Sequence, residues 1–137
     1  MAITINQIYS QVESEVNTTE RPVYCASRLE PVPPQFPSVQ IVEMNHYPIR
    51  NALPLNFGEH EDVSLRRDFE AHVFSNLKNN ALSEARAIME DVEVAFRKMY
   101  FVETYCGQAN NADPAVIHMV ARFTRNIGDS DPLDLSE

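Results

Sequence analysis

The first hydrophobic pattern along the chain is that of a short amphipathic helix. Thr4 and Gln7 form a capping-box pair, in which each side chain can satisfy an exposed amide group of the other residue. Apolar residues then recur at helical spacing, with polar residues on the other side of the helix: Ile5, Ile8, Tyr9, Val12 and Val16. The pattern predicts a helix from about residue 5 to residue 16.

The next segments have the composition of strands, and a proline-rich segment separates them. Residues 23–26 (Val-Tyr-Cys-Ala) predict a brief strand. Four prolines between residues 28 and 37 exclude both a helix and a central strand there. Residues 39–44 are rich in β-branched side chains and predict a second strand. From Val63 apolar and polar residues alternate, and Arg67 alone breaks the apolar face, which predicts a long strand with one solvated side.

A second, longer helix is predicted after Asn79 and Asn80, either of which can serve as its N-cap. Acidic residues fall early in this segment and basic residues fall late, as the helix dipole favours. The apolar stripe has spacings of three and four residues and contains Leu82, Ala85, Met89, Val92, Phe96 and Met99.

The chain closes with two strand patterns and a polar tail. Residues 100–106 and 116–126 predict an antiparallel hairpin, with a turn region over residues 107–114. Residues 128–137 form a short acidic tail with little to bury. The elements follow the order α-β-β-β-α-β-β, and the alternating strands are typical of sheets with one covered face. We therefore expect a single α+β domain over residues 1–127, with a largely antiparallel sheet, two helices packed on one face, and the other face left to water or to a partner.

Composition narrows the classes of function. The chain has 137 residues, which suits one domain, and its net charge of −9 argues against nucleic-acid binding. Two cysteines, Cys25 and Cys106, cannot build a structural zinc site, and we expect them to be reduced. Because there is no signal-peptide pattern and no apolar run long enough to span a membrane, we expect a soluble intracellular product.

Catalytic and metal-binding motifs are absent from the sequence. Only three glycines occur, which excludes the glycine-rich phosphate loops, and neither GxSxG nor HExxH is present. The acidic run at residues 59–62 and the spaced carboxylates of the tail are weak candidates for metal ligands. His72 beside Glu70 and His118 near Arg122 could form a dyad across strands, but solvated histidines are the expected reading. The sequence predicts no catalytic residue, no metal and no cofactor.

Several segments together resemble a known family. They are the first helix, Val23–Tyr24, the prolines from Pro31 to Pro37, the strand over residues 39–42, the long strand over 67–74 leading into the helix over 81–99, and the hairpin over 101–105 and 118–123. Their order and the chain length resemble those of the tail terminator proteins of long-tailed bacteriophages, also called tail completion or neck proteins. The resemblance covers about residues 4–126.

The resemblance implies a structural protein and not an enzyme. It implies a homo-oligomeric ring, commonly a hexamer, that caps the tail tube and meets the head-side connector or stopper protein. Viral DNA would pass through the ring without sequence-specific binding, and no membrane would be involved. The protein would reside in the tail or neck of the virion, after assembly in the host cytoplasm. The alternatives are a head-completion or minor capsid protein of the same virion, and a small α+β ligand-binding domain or enzyme that uses His72 and Glu70.

The loop over residues 45–62 is the candidate contact surface. It shows no regular period, yet it carries large apolar and aromatic side chains: Tyr47, Ile49, Leu53, Leu55 and Phe57. Clustered residues of this kind mark interfaces when they are exposed, so we expect them to contact a neighbouring subunit or partner. The alternative is that the loop folds back over the core of its own domain.

Overall fold

Seven elements follow one another in the predicted order α-β-β-β-α-β-β. The structure is a computed structural model that describes residues 4–30, 32–48, 65–111 and 113–127. The elements are α1 (Ile5–Val16), β1 (Tyr24–Ala26), β2 (Ser38–Pro48), β3 (Leu65–Ser75), α2 (Ala81–Lys98), β4 (Val102–Ala109) and β5 (Ile117–Ile127). The acidic tail lies outside the described residues.

The strands form one mixed sheet in the order β1-β2-β3-β5-β4. β1 runs parallel to β2, whereas the three other neighbouring pairs are antiparallel. Parallel neighbours cannot be joined by a tight turn, so the proline-rich residues between β1 and β2 serve as the crossover connection. The expected α+β class, the largely antiparallel sheet and the closing hairpin of β4 and β5 are confirmed.

Both helices cover the same face of the sheet. The capping box of α1 is formed, since the Thr4 hydroxyl accepts from the Gln7 amide at 3.2 Å and the Thr4 amide donates to Gln7 Oε1 at 2.7 Å. At α2, Asn80 is the N-cap, but its side chain makes no capping hydrogen bond. The stripe of α2 is buried as predicted except at Leu82, which is partly exposed. The helices contribute these residues to the core: Ile8, Val12, Val16, Ala85, Ile88, Met89, Val92, Ala95 and Phe96.

Four phenylalanines form the centre of the core. The ring of Phe96 stacks on that of Phe123 with 4.2 Å between centroids and 7° between planes. Phe101 meets the edge of Phe96 at 5.2 Å and the edge of Phe69 at 5.5 Å. Because these rings come from α2, β3, β5 and the residue that precedes β4, the cluster joins the helical layer to the middle of the sheet.

Two arginines lie on the covered face among the apolar residues. Arg67 faces Arg125 directly across β3 and β5, and each has its own acceptor. Arg67 binds both carboxylate oxygens of Glu43 at 2.8 and 2.9 Å, and Arg125 donates to the carbonyl of Met99 at 2.7 Å. The interruption of the apolar pattern at Arg67 is therefore a buried ion pair, and Arg125 caps the C-terminal end of α2.

Two element boundaries differ from the prediction. β2 continues through Asn45 to Pro48, where the sequence indicated a loop, because it stays paired with β3 after an irregularity at Glu43. β4 begins at Val102 and continues through Gly107 to Ala109, which were expected in the turn. In both cases the neighbouring strand supplies backbone partners that outweigh the local preference of the residues for a turn.

Candidate functional site

The sheet face opposite the helices is partly covered by the chain itself, whereas the sequence left this face to water or to a partner. Gln40 is fully buried there, and its side-chain amide pairs with the backbone of Glu30, accepting at 2.7 Å and donating at 2.8 Å. The crossover between β1 and β2 is thus bonded to this face of β2. Phe74, also on this face, is 2% exposed. We call this surface the outer face.

A chain of hydrogen-bonded side chains runs across the outer face from β3 to β5. The Nε2 atom of His72 lies 2.7 Å from Glu70 Oε1, and its Nδ1 atom lies 2.8 Å from His118 Nε2. Arg122 Nε donates to the second oxygen of Glu70 at 2.9 Å. The register explains the meeting, because His72 pairs with Val120, and His118 and Arg122 lie two residues to either side of it on the same face. His72 and His118, which are 46 residues apart along the chain, are therefore in contact.

The surroundings of this hydrogen-bond network shift the pKa values of Glu70 and His118. His72 is 8% exposed, so the expectation of two ordinary solvated histidines is wrong. Burial, together with the nearby His72, lowers the pKa of His118, although a hydrogen bond to the backbone of Asn110 and the charge of Glu70 oppose this. Burial raises the pKa of Glu70, but the hydrogen bonds and charges of Arg122 and His72 outweigh burial and hold that pKa below its usual value.

The edge strand β4 is a second candidate for a functional surface, because most of its residues are exposed. Among the described strands it pairs with β5 alone, and its residues from Val102 to Cys106 are exposed on both faces of the sheet. Val102 is 63% exposed, and the ring of Tyr105 lies beside the Arg122 guanidinium at 5.6 Å. Gly107 leaves room for Tyr105, since a Cβ atom at residue 107 would lie 2.5 Å from the Tyr105 hydroxyl oxygen. Within the described part of the chain, β4 therefore presents a backbone edge that no other strand pairs with, next to exposed apolar surface.

Two carboxylates and a thiol gather where β4 meets α2. One ligand atom from each of Glu93, Glu103 and Cys106 lies within 4.8 Å of those of the other two. Burial and the neighbouring Glu93 raise the pKa of Glu103 to about 7. Burial, with the charges of both carboxylates, raises the pKa of the Cys106 thiol to about 11. Sequence reasoning missed this cluster, because Glu93 is on a helix, ten residues before Glu103 and thirteen before Cys106, and no motif connects them.

A cleft of about 410 Å³ lies between the C-terminal part of α1 and the edge strand β1. Glu13, Asn17, Val23, Cys25 and Phe36 are among the residues that line it. Burial raises the pKa of Cys25 to about 12, so the thiol is protonated near neutral pH and is a poor nucleophile.

Most of the predicted interface residues lie outside the described part of the chain. The backbone of Tyr47 belongs to β2 and pairs with Arg66, so this residue is in a strand and not in the expected loop. Ile49, Leu53, Leu55 and Phe57 are outside the described residues, as are the acidic run at 59–62 and the spaced carboxylates of the tail.

Neither of the described helices is long and apolar enough to cross a membrane.

No model of a known protein family matches the chain, and a search of curated proteins finds no significant match.

Proposed function

We propose that this protein is a structural component of a bacteriophage virion that acts as a tail terminator. Copies of the chain would form a ring, commonly of six subunits, that caps the tail tube and meets the head-side connector or stopper protein. The proposal starts from the resemblance in element order, and the observed order of helices and strands agrees with it. The protein would work by assembly, with no catalytic step.

The exposed edge of β4 is the observation that carries the proposal. An open edge strand offers a row of backbone donors and acceptors to another chain, and proteins that stay monomeric usually protect such edges with charges, prolines or covering segments. β4 contains no proline and one charged residue, Glu103, and it exposes Val102 and Tyr105. Its bulge between Glu103 and Tyr105 is a partial protection. A second copy of the chain packed against β4 would cover this surface.

The charge of the chain is compatible with a ring through which a genome passes. A net charge of −9 disfavours adhesion of DNA to the subunit, because like charges repel at close range. Such a ring would guide the genome without sequence-specific contacts.

A small ligand-binding domain or enzyme is the second candidate, and the cluster of Glu70, His72 and His118 is the observation that favours it. A carboxylate that orients a histidine is a frequent arrangement in catalysis. In this protein, however, the ring nitrogens of His72 are occupied by Glu70 and His118, and His72 is buried. A substrate would have to displace one of these partners, so we favour assembly over catalysis.

A pair of substitutions tests the role of β4. Val102→Lys places a charge on the exposed strand, and Leu77→Lys places the same charge on another exposed apolar residue, outside the helices and strands. Multi-angle light scattering should show an assembly for the wild type and for Leu77→Lys, and a monomer for Val102→Lys. Equal masses for all three proteins would mean that β4 is not the contact. A wild type that is monomeric at every accessible concentration would overturn the ring.

A further inference from the structure

The C-terminal end of α2 holds the backbone of Tyr100 in the left-handed region. The amide of Tyr100 donates to the carbonyl of Arg97 at 2.9 Å, and the amide of Phe101 donates to the carbonyl of Phe96 at 3.0 Å. Together these hydrogen bonds form a Schellman motif, in which the residue after the C-cap takes a positive φ. That residue is Tyr100, whose φ is 64°, since Met99 is the C-cap. The contact of Phe101 with Phe96 in the core keeps the chain in this turn.

A tyrosine is an unfavourable residue for this backbone conformation. Glycine usually occupies the position, because at positive φ a Cβ atom comes too close to the following carbonyl oxygen. Among the described residues other than glycine, only Asn79 also has a positive φ, of 71°, and asparagine is one of the residues that tolerate it. A bulky side chain in this region is an outlier, and such strained residues cluster at functional sites. The side chain of Tyr100 is therefore the feature to explain.

The side chain of Tyr100 does not offset this strain through polar or aromatic contacts in its own subunit. It is 48% exposed. Among the described residues, its hydroxyl has no hydrogen-bond partner and its ring contacts no other ring. A contact outside the subunit could supply the missing stabilisation, because a large part of the ring is available to a partner.

Tyr100 lies directly before the surface that we propose for assembly. Val102, the first residue of β4, follows two residues later and is 63% exposed. Arg97 and Lys98 precede Tyr100 in the last turn of α2 and are both exposed, and Lys98 binds Glu15 of α1 at 3.0 Å. Because the chain has twenty acidic residues and eleven basic ones, an acidic surface of a second copy is complementary to this basic and apolar end of the sheet edge.

We propose that Tyr100 is a contact residue between copies of this chain, and that a neighbouring subunit buries its ring beside β4. Tyrosine suits such a contact, because its ring brings a large apolar area and loses little conformational entropy on binding. Burial of the ring in the assembly then offsets the strain that Tyr100 imposes on the free subunit. This inference rests on the proposed assembly through β4, and it adds a residue that lies outside that strand.

Two glycine substitutions test the role of Tyr100 in assembly. Tyr100→Gly and Asn79→Gly each place glycine at a positive φ, at opposite ends of α2. Light scattering over a concentration series gives the protein concentration at half-assembly. This concentration should be at least tenfold higher for Tyr100→Gly than for the wild type, and within twofold of the wild type for Asn79→Gly. Unchanged assembly of Tyr100→Gly would overturn the inference and leave the ring intact, whereas a wild type that is always monomeric would overturn the ring itself and this contact with it.

Urea unfolding of single chains tests the strain at Tyr100. The measurement uses the Val102→Lys background, because assembly would otherwise add to the apparent stability of the subunit. In that background Tyr100→Gly should not lower the urea midpoint, since the relief of strain offsets the loss of the half-exposed ring. Tyr100→Asn, which keeps a side chain that tolerates positive φ, should behave in the same way. A lower midpoint for both variants would show that the ring packs on its own subunit, and it would overturn the inference.

Discussion

Truncation of Phe96 is the most demanding test of the described core. Phe96 is fully buried on α2, and its ring stacks on Phe123 while Phe101 meets it edge-on. Phe96→Ala would leave a cavity between the helices and the middle of the sheet. The neighbouring rings come from β3, from β5 and from the connection between α2 and β4, so they cannot all move in to fill it.

The expected magnitude follows from the loss of buried surface and the cavity. Substitution of a buried phenylalanine by alanine costs about 3–5 kcal/mol in the free energy of unfolding. The lost contacts with Phe123 and Phe101 place the expected value in the upper half of that range, since aromatic pairs add about 0.5–1.5 kcal/mol beyond burial. A domain of this size has roughly 5–15 kcal/mol of stability in total, so the variant should be folded but far less stable.

Urea unfolding followed by circular dichroism measures the difference. Phe96→Leu keeps an apolar group in the site and should recover more than half of the loss. Leu77→Ala is the matched control, because Leu77 is 46% exposed, and its effect should be within about 0.5 kcal/mol. A loss below about 1 kcal/mol for Phe96→Ala would show that the packing described for α2 is wrong.

Three further predictions follow from buried or perturbed charges. Arg67→Met should lower the free energy of unfolding, measured by heat or urea, by about 3–5 kcal/mol, because it leaves Glu43 without its bidentate partner. The double variant that also carries Glu43→Met should recover most of this loss, and additive losses would contradict the pairing. Iodoacetamide at pH 7.5 should alkylate Cys25 and Cys106 at least tenfold more slowly than a free cysteine peptide, because their pKa values are raised to about 12 and about 11. Equal rates for the protein and the peptide would refute this prediction. Glu103→Gln should stabilise the protein near pH 8 by up to about 1 kcal/mol, allowing for solvent screening. The reason is that the folded protein favours the protonated carboxyl, whose pKa is raised to about 7, and this stabilisation is lost as pH rises from 4.5 through 7. The gain in stability should vanish below pH 4.5, and a gain of equal size at pH 4 would contradict the assignment.

The elements of this fold could be predicted because most of them satisfy one periodicity along their length. The pairing of Thr4 with Gln7 and the stripe on α2 were sufficient to locate both helices, and the structure confirms them. The ends of β2 and β4 could not be predicted. Asn45, Pro48 and Gly107 favour turns locally, and only the neighbouring strand keeps them in the sheet.

The contacts between side chains on the outer face could not be predicted from the sequence. Alternation correctly placed His72 and His118 on the polar side of their strands, but it cannot give the register between β3 and β5 that brings them into contact. Nor could it show that the crossover binds Gln40 and covers part of this face. The cluster of Glu93, Glu103 and Cys106 depends likewise on how α2 lies against β4.

We propose that this chain assembles into a closed ring, and electron microscopy of the purified protein tests that assembly. Class averages should show a closed ring, with sixfold symmetry as the expected case, and a mass of about 94 kDa for six chains of 15.6 kDa. A reconstruction should place β4 of each subunit against its neighbour. Particles of a single subunit would contradict the ring, and a ring that leaves β4 exposed to solvent would contradict the proposed contact.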